Sequence, residues 1–147
     1  MRRVYSSDDD TIPPEYAPQK MMEHIKEGLA ALGIEFDSAQ KHVERLTNTG
    51  FTNVSNWERR VPVGTWAKGR DWKIMGTVCR TAISNGLDAL MLGPLTRGLG
   101  WSKEQVEEFS VPVRKHLFDP SIHAYVCFQA VWAQKPLDDA AKENNSS

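Results

Sequence analysis

His123 and Tyr125, one residue apart at the start of the last strand-like stretch, are the side chains best placed to do chemistry. A histidine there can take a proton from a substrate hydroxyl, because imidazole titrates near neutral pH. Its ordinary role at such a position is structural, tying the start of the strand to neighbouring loops. His24, His42 and His116 lie on helical segments flanked by charge and read as solvated faces. No two histidines have the spacing of metal ligands, so a metal site is not expected. Asp8-Asp9-Asp10, just ahead of Pro13-Pro14, reads as a solvated loop, with a cation site as the alternative. Cys79 and Cys127 are the only cysteines and read as reduced, buried thiols.

Composition bounds the partners. The 147 residues suffice for one domain, and 40% apolar with 25% charged residues is ordinary for a globular chain. A net charge of −1, with a thin basic scatter at Arg59-Arg60, Lys68, Arg70 and Lys73, gives no case for nucleic acid. No apolar run approaches the roughly 18 residues of a membrane span, so no membrane partner is expected. Basic residues at Arg2 and Arg3 have no apolar segment behind them, which argues against a secretory signal and for a cytoplasmic or nuclear location. The glycosylation-type triplets at Asn53 and Asn145 are then never presented to that machinery.

The elements that must position His123 and Tyr125 follow from periodicity. Pro13-Pro14 opens a helix, with Pro18 in its first turns or marking where the regular helix begins. Met21, Met22, Ile25, Leu29 and Leu32 share one face, and Gly33 ends it. A second helix is expected from Ser38 to Gly50 with Ala39, Val43 and Leu46 inward. A strand runs over about 50–63, and Pro62 suits an exposed end or edge. From Arg70 a long helix carries Trp72, Met75, Cys79, Ala82 and Ile83 on one stripe, is interrupted at Gly86, and resumes to Gly93-Pro94. Ser102 and Gln105 form a capping box that starts a helix with Val106, Phe109, Val113 and Leu117 inward, kinked at Pro112. The last stretch, 122–134, is apolar on both faces, as in a strand buried between two layers. This chain has too few other strands to build such a sheet, so it looks like part of a domain. The polar tail 137–147 is expected to be disordered.

Four ordered blocks carry a resemblance. Gly50-Phe51-Thr52-Asn53-Val54, Val61-Pro62-Val63-Gly64-Thr65-Trp66, Leu99-Gly100-Trp101-Ser102-Lys103-Glu104-Gln105-Val106, and Ile122-His123-Ala124-Tyr125 through Gln134-Lys135-Pro136 resemble the C-terminal part of the fungal LaeA-like methyltransferases. Ser7 to Pro14 is similar to the segment after that family's fifth strand. The resemblance implies an α/β fold: an incomplete Rossmann-like methyltransferase domain, whose full sheet has seven strands with the last antiparallel. Residues 1–13 would follow a missing strand, and 14–136 would be the C-terminal part of the domain. Within it, 51–63 and 122–134 would be strands six and seven, and about 67–118 a helical lid over the substrate.

The resemblance also implies S-adenosylmethionine as cofactor and secondary metabolism as the setting. The family holds that cofactor with a Gly-rich loop after its first strand and an acidic residue ending its second. This chain has no such loop; its glycine pairs, Gly64/Gly69 and Gly98/Gly100, sit among helix breakers. The cofactor site is therefore expected to lie outside the chain, leaving its activity alone in doubt. In the resembled fold His123 and Tyr125 belong to a His-Ala-Tyr block, and Trp66, Trp72 and Trp101 are placed to line a flat substrate pocket or to anchor the insertion. The expected partner is a small-molecule metabolite. The alternative is a non-catalytic binding or regulatory remnant, or a cyclase-like protein using the lid pocket, with a protein partner or self-association through an exposed sheet edge.

Overall fold

The computed structural model describes residues 4–36 and 41–136. The expected start of a helix at Ser38-Ala39 and the tail 137–147 lie outside the described residues. The elements run β1 (Tyr5–Ser6), α1 (Ala17–Ala31), α2 (His42–Asn48), β2 (Thr52–Pro62), α3 (Arg70–Gly93), a π-helical stretch (Pro94–Gly98), α4 (Lys103–Leu117) and β3 (Tyr125–Gln134). The three strands form one sheet in the order β1-β3-β2. β1 is antiparallel to β3, with Tyr5 opposite Val126 and Ser6 opposite Tyr125. β2 also runs against β3: Thr52 Oγ1 reaches the Gln134 carbonyl, Asn56 meets Gln129, and Val63 N donates to Ala124 O. The last strand is thus antiparallel to both its neighbours.

Two compact units divide the described residues, 4–36 with 60–127 and 41–59 with 128–136. The first unit holds the core. Helix α1 starts at Ala17, with Pro18 in its first turn, so the proline marks where the regular helix begins. Its Met21 and Ile25 are buried, while Leu32 lies past the last turn and is exposed. Gly33, at φ +75°, closes the helix: its N–H reaches Ala30 O and that of Ile34 reaches Leu29 O. Helix α1 lies directly on the π stretch, with Gly28 against the Pro94 carbonyl and Gly98.

Helix α3 departs from expectation in two ways. It runs unbroken through Gly86, because one interior glycine costs a helix only about 1 kcal/mol against many intact hydrogen bonds. Its buried stripe is Gly76, Cys79, Ser84, Leu87 and Met91, so Trp72, Met75 and Ala82 face outward. Gly76 sets that rotation, since the Gly64 carbonyl occupies the place a β-carbon would take. Helix α4 has the expected capping box, with Gln105 N donating to Ser102 Oγ at 3.2 Å and Ser102 N to Gln105 Oε1 at 2.8 Å. It carries Pro112 internally and buries Val106, Val113 and Leu117, with Phe109 partly buried against the same core. Arg114 joins it to α3, donating from Nη1 to the Ser84 carbonyl and hydroxyl and pairing through Nη2 with Asp88.

The strands correct two further expectations. Pro62 does end an edge strand, but its ring is fully buried against the Gly64–Gly76 contact. No strand is expected ahead of Gly50, yet Tyr5-Ser6 forms one, anchored by the buried Tyr5 ring on Tyr16. Burial raises the phenol pKa of both Tyr5 and Tyr16 well beyond the ordinary tyrosine range. Gln19 Oε1 accepts the N–H groups of Val4 and Tyr5, so β1 does not present bare donors there.

The second unit contains α2, which buries no residue, and the outer parts of β2 and β3. Here the expectation of a strand covered on both faces fails. Val126 is buried, but Phe128 and Trp132 are 53% and 54% exposed. Cys127 is likewise exposed, against the expectation of a buried thiol, whereas Cys79 is buried and its thiol pKa raised by burial.

Candidate functional site

The residues that could do chemistry gather in the first unit around Trp66. The loop 63–69 joins β2 to α3, and Gly64 N donates to Gly76 O at 2.9 Å, which pins the loop to the helix. Trp66 then folds back, its indole N–H donating to the Ala124 carbonyl at 3.3 Å. His123 stacks on its ring at 4.9 Å, and Tyr125 meets it edge-on at 4.8 Å. The His-Ala-Tyr spacing places both side chains against one indole, with the carbonyl between them taking the indole hydrogen.

Asp9 orients His123. Its carboxylate lies 2.5 Å from His123 Nδ1 and also accepts from the hydroxyls of Ser7 and Thr11. Thr11 Oγ1 in turn accepts the backbone N–H of His123 at 2.8 Å. Hydrogen bonds from Ser7 first, then from His123 and Thr11, hold the Asp9 pKa well below the usual carboxylate range. An ionised Asp9 can only accept, so Nδ1 carries the hydrogen and Nε2 is the ring atom left to exchange a proton with a substrate. This is how a histidine base is commonly set up. Asp8 pairs with Arg60 at 2.9 Å, and the Arg60 guanidinium lies 4.2 Å over the Tyr125 ring. The acidic run is an exposed loop, as expected, and two of its three residues also fix the flanks of the site.

Two clefts open beside Trp66. One, of about 360 Å³, is lined by Arg60, Trp66, Ala67, Lys68, Trp72 and Tyr125. The other, of about 310 Å³, is lined by residues including Gly64, Trp66, Lys73, Arg80, Asp119 and His123. Trp66 and Trp72 thus share a cleft with Tyr125, and His123 faces the neighbouring one. Trp101 is not brought to either: it packs at 5.1 Å from His24 and 5.7 Å from Phe109. His24 and His116 are not solvated faces. His116 Nδ1 accepts the first N–H of α1, from Ala17 at 3.0 Å, and its ring stacks on Tyr16. His42 is exposed, as expected. Sequence reasoning saw Asp9 only as part of an acidic run and missed Arg80, because they stand 114 and 43 positions from His123.

The glycine pairs do not fit S-adenosylmethionine. Gly64 N is spent on Gly76 O, Lys73 Nζ holds the Thr65 carbonyl at 3.0 Å, and Trp66 covers the loop. The other pair closes on itself, with Gly100 N on Thr96 O and Gly98 against the Gly28 backbone. The amides of Gly64 and Gly100 are thus already engaged within the fold. Among the described residues, no group of three or more His, Cys, Asp or Glu side chains could hold a metal ion, and no helix is long and apolar enough to cross a membrane.

The chain is similar to fungal proteins. It is 29% identical over 133 residues to "Methyltransferase pytC" of Aspergillus terreus, covering 90% of this chain and 41% of that protein. It is 24% identical over 100 residues to "Secondary metabolism regulator laeA" of Aspergillus fumigatus, covering 68% of this chain and 27% of that protein. A "Protein-methionine methyltransferase laeA" of Emericella nidulans is 25% identical over the same shares. The chain thus spans about two fifths or less of these relatives' length. No family model matches it, and no solved structure does so significantly. The resemblance to LaeA-like fungal methyltransferases of secondary metabolism, read from the four sequence blocks, is borne out by these relatives.

Proposed function

We propose that this chain supplies the acceptor side of a LaeA-like, S-adenosylmethionine-dependent methyltransferase of fungal secondary metabolism, with the cofactor held by residues other than those described. The Asp9–His123 pair against Trp66 carries this reading. A hydroxyl becomes a competent nucleophile when a positioned base takes its proton, and Asp9 leaves Nε2 of His123 as that base. Asp9 is a positioning residue; it stabilises the imidazolium that forms. Trp66, with Trp72 and Tyr125 on one side and His123 on the other, gives a planar metabolite a flat surface. S-adenosylmethionine would supply the methyl group. Helices α3 and α4, whose segment corresponds to the lid expected from sequence, carry the walls of the second cleft at Lys73, Arg80 and Leu117. The acceptor is a small metabolite, and the setting is cytoplasmic or nuclear.

Two observations support an incomplete sheet. The last strand lies antiparallel between two strands that run the same way, as expected of a methyltransferase's final strand. Phe128 and Trp132 stay half exposed, as apolar residues of a strand would if a further layer of the sheet's fold lay outside the described residues. The test is a chimera in which this chain replaces the matching segment of the pytC protein. It should transfer methyl groups to acceptors of that protein, and His123→Gln should lower kcat by about 10²-fold or more with little change in KM. An active chimera indifferent to His123→Gln would remove the base from the account.

A second reading, a non-catalytic binding protein, draws on the same exposed apolar strand. Sedimentation of the purified chain separates the two. Self-association that is lost with Phe128→Ser and Trp132→Ser supports a surface used for binding, and a monomer at all concentrations counts against it.

A further inference from the structure

We propose that the cleft between the 63–69 loop and helix α3 is a carboxylate subsite, with Arg80 and Lys73 as its cations, for a small planar organic acid. The proposal rests on the acceptor-site reading only for its place in methyl transfer. It begins from a buried donor without an acceptor. The guanidinium of Arg80 lies 4.5 Å over the Phe118 ring, and its Nε–H meets no acceptor among the described residues. Its Nε is also shut off from water, so solvent cannot supply what the protein withholds. Buried donors left this way are uncommon and need an explanation. An acceptor entering the cleft, met by a small swing of Arg80 off Phe118, provides one.

The surroundings select the acceptor. Lys73 is seven residues before Arg80 on α3, two turns along the same face, so both cations head the same cleft about 10 Å apart along the helix. Lys73 Nζ holds Thr65 O and keeps two further hydrogens for a ligand. Asp119 also lines the cleft, but its carboxylate is engaged by the N–H and hydroxyl of Ser121, the hydroxyl contact being the main cause of its lowered pKa. Two cations against one carboxylate favour a monoanion. The planar fork of Arg80 matches a carboxylate with two parallel bonds. The Trp66–His123 stack forms an aromatic wall, and about 310 Å³ accommodates one small ring. The acid group would then anchor the molecule while a second substituent lies near His123.

Titrations of the purified chain with benzoate, benzyl alcohol and inorganic phosphate test this, read by the Arg80 Nε–H resonance and by tryptophan fluorescence. Benzoate should shift the Arg80 resonance, and bind at least about tenfold more tightly than benzyl alcohol. Added salt should weaken it. Arg80→Gln should reduce benzoate affinity about tenfold or more, and Lys73→Gln about threefold. Arg80→Lys keeps the charge without the fork and should fall between, which serves if the glutamine variant does not fold. Equal binding of benzyl alcohol, tighter binding of phosphate, or no shift at Arg80 would each overturn the carboxylate subsite. A chimera that transfers methyl groups while benzoate fails to bind would sink this subsite alone. Benzoate binding in an inactive chimera would leave it standing without its place in catalysis.

Discussion

Gly76→Ala should be the most informative single-atom change in the first unit. A β-carbon at this position would sit 1.9 Å from the Gly64 carbonyl oxygen, when real contacts are essentially never under 3.0 Å. The obstacle is backbone, so no rotamer change relieves it. Loop and helix must separate by about 1 Å, which breaks the 2.9 Å bond from Gly64 N to Gly76 O. Leaving the buried Gly64 N–H unmatched costs about 1–3 kcal/mol, and disturbed packing around Pro62 adds to it. Alanine returns about 1 kcal/mol of helix propensity. The net expectation is about 2 kcal/mol of destabilisation, seen in urea melts as a lower midpoint with an unchanged slope. Fluorescence should move as well, because the loop carries Trp66. Gly86→Ala is the control in the same helix: its nearest neighbour would be a Leu90 methyl at 3.8 Å, and it should stabilise by up to about 1 kcal/mol. Equal stability of Gly76→Ala and wild type would refute the close approach on which the loop's position rests.

Leu87→Ala removes a wholly buried side chain from the stripe of α3 and should cost about 2–5 kcal/mol in the same melts. Ser102→Ala deletes the cap of α4 and should cost about 1 kcal/mol, with Ser102→Gly closer to wild type. Tyr5 and Tyr16 have folded pKa values raised by burial, so their contribution to stability is fully present below the unfolded value, about 10, and is lost above it. Ultraviolet titration should therefore show their ionisation coinciding with alkaline loss of circular dichroism, not preceding it.

Local signals were read well wherever one helix or strand contains them. The Met21–Ile25 face, the Ser102–Gln105 box and the Val106–Val113–Leu117 stripe depend on neighbours a few residues apart. The stripe of α3 departs from the expected one because Gly76 looks like a break in an apolar face, whereas its smallness is what buries it. Tyr5-Ser6 is too short to show a period, and its pairing with β3 spans the whole fold. The site divides in the same way. His123, Tyr125 and Trp66 were visible as candidates, and the fold joins them through the Ala124 carbonyl. Asp9 and Arg80 were not, since what makes them notable is a partner gained or withheld at long range. Trp101 carried no local sign that it would turn to His24 and Phe109 instead.

The division of labour, acceptor groups here and methyl donor gripped elsewhere, meets its most direct trial in calorimetry with S-adenosylhomocysteine. The purified chain should give no binding heat, while the pytC chimera titrates in the micromolar range. Micromolar affinity for the purified chain by itself would contradict the account.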